Sequence, residues 1–271
     1  IPARTFRDIE LRIWEEPEVE ASYVIGVDPA YGHSEKNDRS AIEVCKCYAD
    51  AIEQVAEYVS GSVMPHQLAW IYWTLAGYYG ARAGQPVMSI VELNGPGEAV
   101  WREIGQTKQI VTAGYLRARA EAQGVADLFR NVRQYIYGRS DSMGSGNSWA
   151  WKTTPQLKVA IMERLRDFVH RGSAIIRSAE LVEDMRLVTR DGDTIEAEGK
   201  GHDDRVVAKA LCCRAWEEKM QRGLVALNKT RANALARRSM AASDQMAMLS
   251  RYQLQNFFKI KANARLAAQQ Q

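Results

Sequence analysis

Apolar positions along this chain recur with two different periods. Ser22–Asp28 (SYVIGVD) is a compact apolar run, β-branched in part and followed by Pro29, which predicts a buried strand. Ser40–Tyr48 and Gln54–Val59 predict two more strands, completing an antiparallel meander with the first. From Pro65 to about Tyr79 the period changes. Leu68, Ile71, Tyr72 and Leu75 fall at helical spacing and predict a packed helix. Val87–Leu93 is again a buried strand, Gly95-Pro96-Gly97 breaks the chain, and Glu98–Ile104 predicts a short helix. Val132–Tyr137 predicts a further strand.

Gly138–Ser148 is rich in Ser, Gly and Asp and predicts a mobile loop. Thr153 or Thr154 then caps a helix with Pro155 at its first position, and Leu157, Ile161, Leu165 and Phe168–Val169 mark its apolar face. Ser173–Arg177 predicts a short strand, Ala179–Leu187 a short helix, Asp191-Gly192-Asp193 a hairpin turn and His202–Trp216 the last core helix. No internal repeat is present. Strand–strand–strand–helix–strand–helix is a mixed-sheet α/β order, the order of the ribonuclease H-like fold. Periodicity alone does not single out that fold; the acidic positions favour it.

The chain has 271 residues, 46% hydrophobic and 25% charged, which suits one large α/β domain with extensions. Residues 1–20 read as a linker from a missing upstream domain, 21–222 as the folded domain, and 223–271 as a basic helical or flexible tail. The start carries no initiator Met, as expected of a fragment or a processed product. It also has no continuous apolar core of a secretory signal, and no run of about 18 apolar residues predicts a membrane helix. Cys45, Cys47, Cys212 and Cys213 lack the usual zinc spacings and read as reduced, packed thiols. The net charge of +3 conceals an asymmetry. Residues 217–271 hold 10 Lys/Arg against 3 Asp/Glu, about +7, whereas the rest holds 26 against 30, about −4. A basic tail on an acidic body predicts an anionic or acidic partner for the tail, or simply a solvated helical extension.

Three acidic spots carry the chemistry. Asp28 ends the run YVIGVD, Glu92 ends MSIVE, and the pair Asp203-Asp204 opens the helix in GHDDRVVAKAL. Alternate residues of a strand share a face, so Val24, Gly26 and Asp28 align, as do Met88, Ile90 and Glu92. Each run thus projects a carboxylate where the sheet opens into a loop, the usual place for ligand sites in open α/β sheets. Asp204 lies 3, 4, 7 and 11 positions before Val207, Ala208, Leu211 and Ala215, the stripe expected to face the sheet. Asp203 is rotated about 100° away and either caps the helix or meets a second ion from the side. Converging carboxylates repel one another and raise their own pKa values. Two Mg²⁺ or Mn²⁺ ions would neutralise them, one activating a water and the other stabilising the leaving oxygen of a phosphodiester. Taken singly, each acid is as readily a turn former or cap. Asp38 adds either a peripheral metal contact or a turn residue.

As a set, VIGVDPAYG with NDRSAIEV, SIVELNGPG, WKTTPQLKVAIMERLRDFV and GHDDRVVAKALCCRAW resemble the C-terminal nuclease domain of the large terminase subunit of tailed bacteriophages, over residues 22–216. The resemblance implies a ribonuclease H-like fold, cutting of concatemeric double-stranded viral DNA during genome packaging in the host cytoplasm, and Asp28, Glu92, Asp203 and Asp204 as the metal-binding acids. It also implies a portal protein and a small terminase subunit as partners, with the tail as one docking candidate. The family's packaging ATPase has no counterpart here, since GxxxxGK[ST] does not occur, and residues 1–20 would be the stump of that connection.

Phosphate contacts are expected from Arg130, Arg133, Arg139, Lys152 and Lys158 around the Ser/Gly-rich loop, or these are ordinary surface charges. His202 either shuttles a proton or faces solvent, and Trp149 and Trp151 either stack on bases or pack in the core. Two other readings remain. One is a Holliday-junction resolvase or integrase-like enzyme of the same fold. The other is a portal-docking module with a vestigial acidic site.

Overall fold

Antiparallel pairing of the first long apolar runs builds the middle of the sheet. The computed structural model describes residues 4–6, 10–32, 38–112, 132–134, 151–192, 194–199 and 201–240. Their elements are β1 (Arg4–Phe6), β2 (Leu11–Ile13), β3 (Ser22–Asp28), β4 (Ser40–Cys47), β5 (Ile52–Ser60), α1 (Pro65–Ala83), β6 (Val87–Val91), α2 (Gly97–Thr112) and β7 (Val132–Gln134). There follow α3 (Pro155–His170), β8 (Ala174–Ile175), α4 (Ala179–Leu187), β9 (Val188–Asp191), β10 (Thr194–Ala197), α5 (Asp204–Ala215) and α6 (Gln221–Ala226). A π-helical turn over Trp216–Met220 joins α5 to α6, and a further helix covers 231–240.

Five strands in the order β5-β4-β3-β6-β7 form the central sheet, antiparallel from β5 to β3 and parallel from β3 to β7. This is the mixed sheet that the element order predicted. β3 is buried on both faces because helices cover both. Tyr23, Ile25 and Val27 pack with Leu68, Tyr72 and Tyr79 of α1, whereas Val24, Met88 and Ile90 pack with Ile161 and Leu165 of α3 and Val207 and Leu211 of α5. Thr154 caps α3 by accepting from the Leu157 amide at 3.3 Å, and Pro155 takes the first turn. The four cysteines are free and buried. No helix among the described residues is long and apolar enough to cross a membrane.

Several expectations need correction. Residues 11–13 are not linker but a strand on β5, with Leu11 and Ile13 turned inward. Their short alternating pattern sits among charged residues and is too brief to stand out. Val169 does not share the buried face of α3, since the helix turns it outward between Phe168 and the next turn. α2 continues to Thr112, well past Ile104. The tail is docked as far as Arg238. Leu224 is buried, the Ala49 amide donates to the Lys229 carbonyl at 2.8 Å, and Arg231 reaches Glu53 at 3.0 Å while Arg238 reaches Glu15 and Glu18. Those arginines therefore meet this chain's own acids. The predicted loop over 138–148 lies outside the described residues.

Gly26 sets how closely α5 approaches β3. A Cβ at that position would sit 2.1 Å from the Ala208 carbonyl oxygen and 3.0 Å from Cys212 Sγ. Gly26→Ala is therefore expected to destabilise the protein by about 3 kcal/mol, the upper end for overpacking, because backbone must move. Urea denaturation checks this, and a change below about 0.5 kcal/mol would show that α5 does not rest on β3 in this way.

Candidate metal centre

The register of β3 with β6 decides where two of the acids stand. Val24 pairs with Met88 and Gly26 with Ile90, and the Glu92 amide donates to the Val27 carbonyl at 3.0 Å. With a side-chain period of two, Asp28 and Glu92 fall on neighbouring strands at one level, on the face that α5 covers. The chain then turns sharply through NGPG. A Cβ on Gly97 would lie 1.9 Å from the Glu92 carbonyl oxygen, so only glycine fits that close return.

Burial, then the carboxylates of Glu92 and Asp204, push the Asp28 carboxyl well above its usual range. A hydrogen bond between the Asp28 and Glu92 side chains raises it further. Glu92 also accepts from Asn94 Nδ2 at 2.9 Å, and the same amide group donates to the Thr153 carbonyl at 2.7 Å. Together with the Leu93 amide on the Trp151 carbonyl (2.9 Å), this ties the start of α3 beside Glu92.

Asp204 opens α5 and is 7% exposed. Burial raises its carboxyl to about 6, against the pull of the Arg39 backbone N–H, which donates to Oδ2 at 3.1 Å. Arg39 Nε and His202 Nδ1 both lie 3.7 Å from the same oxygen. Asp203 occupies the N-cap position, yet its side chain makes no capping bond. It pairs instead with Lys158 Nζ of α3 at 2.7 Å. Burial works to lower the Lys158 pKa, but Asp203, with Asp28 and Glu196 behind it, overrides that and raises it.

All four acids line one open cleft of about 990 Å³, with Asp38 and His202 at its border and Thr154, Pro155 and Lys158 opposite. Residues 194–197 of the β9–β10 hairpin complete the wall. Among the described residues, no three His, Cys, Asp or Glu side chains close around a single point as a bound ion requires. Asp28 and Glu92 meet in a hydrogen bond, while Asp203 and Asp204 are turned to Lys158 and Arg39. The donors that face the cleft are carboxylate oxygens, the chemistry that hard divalent cations select.

Other expected contacts fare differently. Lys152 is exposed and pairs with Glu98 at 2.9 Å. Trp151 is core, 1% exposed, with its indole N–H on Thr153 Oγ1 at 2.8 Å, so it offers no face to a base. Its position beside a polar loop gave no hint of the strand bridge that buries it. Arg130, Arg139, Trp149 and the side chain of Arg133 lie outside the described residues. Sequence reasoning missed Asn94, Arg39 and the pairing of Lys158 with Asp203. Asn94 follows Glu92 by two positions, and that spacing was the one available signal.

No family model matches the chain, and no curated protein does. Solved structures do. The large terminase nuclease from thermophilic phage G20c with bound cobalt matches with a TM-score of 0.51 and 17% identity, covering 79% of this chain and 90% of that one. The same nuclease with bound magnesium gives 0.51 and 16% over the same shares. The Thermus phage P74-26 large terminase nuclease domain gives 0.50 and 15%, over 81% and 92%. At these identities the likeness establishes the fold. This chain has the ribonuclease H-like fold of phage large terminase nuclease domains.

The raised Asp204 carboxyl has a measurable consequence. A carboxyl whose folded pKa exceeds its unfolded value of 3.8 adds stability only while protonated; that contribution is whole below about 3.8 and is lost as pH rises through about 6. Metal-free Asp204→Asn is therefore expected to be more stable than wild type at pH 7.5, by about 1–3 kcal/mol, with the difference closing toward pH 4. Denaturation in EDTA at both pH values checks this. A variant that gains nothing at pH 7.5 would show that the carboxylate is not strained there.

Proposed function

We propose that this chain is a divalent-metal-dependent endonuclease that cuts double-stranded DNA with little sequence specificity, serving as the cutting module of a viral genome-packaging machine. The observation that carries this reading is the placement of Asp28 and Glu92 side by side at the strand ends, with Asp204 across from them on α5, in an open cleft. The fold supports it, since nucleases with bound cobalt and magnesium share that fold.

The residues fit such ions. Asp28, Glu92 and Asp204 would hold them, with Asp203 alongside, and all supply oxygen. When bound, Mg²⁺ or Mn²⁺ would supply an activated water and charge stabilisation at the leaving oxygen. The chain's own groups do the rest. Asn94 holds Glu92 Oε1 in place beside Asp28. Lys158 and the positive end of α3, where Thr154 and Pro155 line the cleft, offer charge to a phosphate. Lys158 is already charged and oriented by Asp203. A portal protein and a small terminase subunit are the partners this reading calls for, with the surface of the tail as one place to meet them.

Asp28→Ala, Glu92→Ala and Asp204→Ala are each expected to lower Mn²⁺-dependent cleavage of linear duplex DNA at least a hundredfold, since each removes several kcal/mol of transition-state charge stabilisation. Circular dichroism should show the fold retained. Full activity in the folded Asp28 or Glu92 variant would end the reading, and a demand for branched DNA would move it to a junction resolvase.

A further inference from the structure

We propose that Asp184, on α4 and outside the cleft lining, is a positioning residue for Asp204. This rests on the metal-centre reading above. Asp184 Oδ2 receives two guanidinium groups, Arg205 Nη1 at 2.8 Å and Arg39 Nη2 at 3.4 Å. Arg205 is the residue after Asp204 on α5 and is 8% exposed, with its Nε 3.4 Å from the buried Glu57 on β5. Arg39 precedes β4, and its backbone N–H is the group that pins Asp204 Oδ2. One carboxylate thus fastens both the start of α5 and Arg39, whose backbone N–H holds Asp204. Every contact made to the Asp204 carboxylate by Arg39 and His202 is to Oδ2, and the clamp holds that oxygen so that Oδ1 serves the ion.

Charge alone predicts something different. Asp184→Asn removes a negative charge near the cleft, so simple electrostatics also weakens cation binding. Arg39→Ala removes a positive charge, so simple electrostatics strengthens it, yet it leaves the backbone N–H in place. Positioning predicts a loss in both variants, because each cuts the tie that holds the Arg39 loop, and predicts that the double variant is no worse than either single one.

The test is Mn²⁺ binding by isothermal titration calorimetry on the full chain, with melting temperatures in EDTA recorded alongside. We expect Mn²⁺ affinity to fall about tenfold or more in Asp184→Asn and in Arg39→Ala alike, without further loss in the pair. Asp184→Glu, which restores the carboxylate, should recover most of it. Tighter binding in Arg39→Ala, or additive losses, would overturn the clamp while leaving the metal centre standing. Wild-type protein that binds no Mn²⁺ would overturn the metal centre and the clamp with it. If Asp184→Asn fails to fold, Arg39→Ala alone decides between the two signs.

Discussion

Mutual repulsion among carboxylates confined to one cleft sets the terms for the elements around it. Asp28 answers with a hydrogen bond to Glu92, Asp203 by taking the Lys158 ammonium, and Asp204 by taking the Arg39 amide. Each solution draws on a different part of the fold. Lys158 comes from α3, Arg39 from the approach to β4, and the acids from β3, the end of β6 and the start of α5. Burial and that crowding together raise the Asp28 carboxyl well above its usual range.

Close backbone approach makes that confinement possible. Gly26 lets α5 settle against β3, and Gly97 lets the chain fold back over Glu92. Both glycines lie within five positions of an acid on the same strand or its exit turn. The helices on the far face, α1 and α2, pack mainly apolar side chains against the sheet, and the Tyr72 hydroxyl of α1 meets Ser89 Oγ on β6 at 2.6 Å.

A second ionic assembly lies at the other edge. Glu15, Glu18 and Glu53 are matched by Lys46, Arg177, Arg231 and Arg238, which draws the N-terminal segment and the helix over 231–240 onto the same patch. The contrast between an acidic body and a basic tail is thereby met in part within the chain. Lys46 and Glu53 are nearly buried, so these pairs are worth more than ordinary surface bridges, and removing one partner would leave a charge stranded.

The fold class was legible because its evidence is local. Compact apolar runs marked β3, β4, β5 and β6, Thr154-Pro155 marked the start of α3, and the apolar stripe behind Asp204 marked the face that α5 buries. Residue counting also showed which neighbours share a face with Asp28 and which with Glu92, but the register of β3 with β6 put the two acids on one side. Tertiary structure decided which groups answer those acids. Arg39 meets Asp204 across 165 positions and Lys158 meets Asp203 across 45, and no periodic pattern records such pairings. The same holds for β2, too short to announce itself until β5 offers it an edge, and for Trp151, whose burial depends on a bridge to Glu92. Direction along an element is a local property of the backbone; the partner at the end of a side chain is a property of the packed whole.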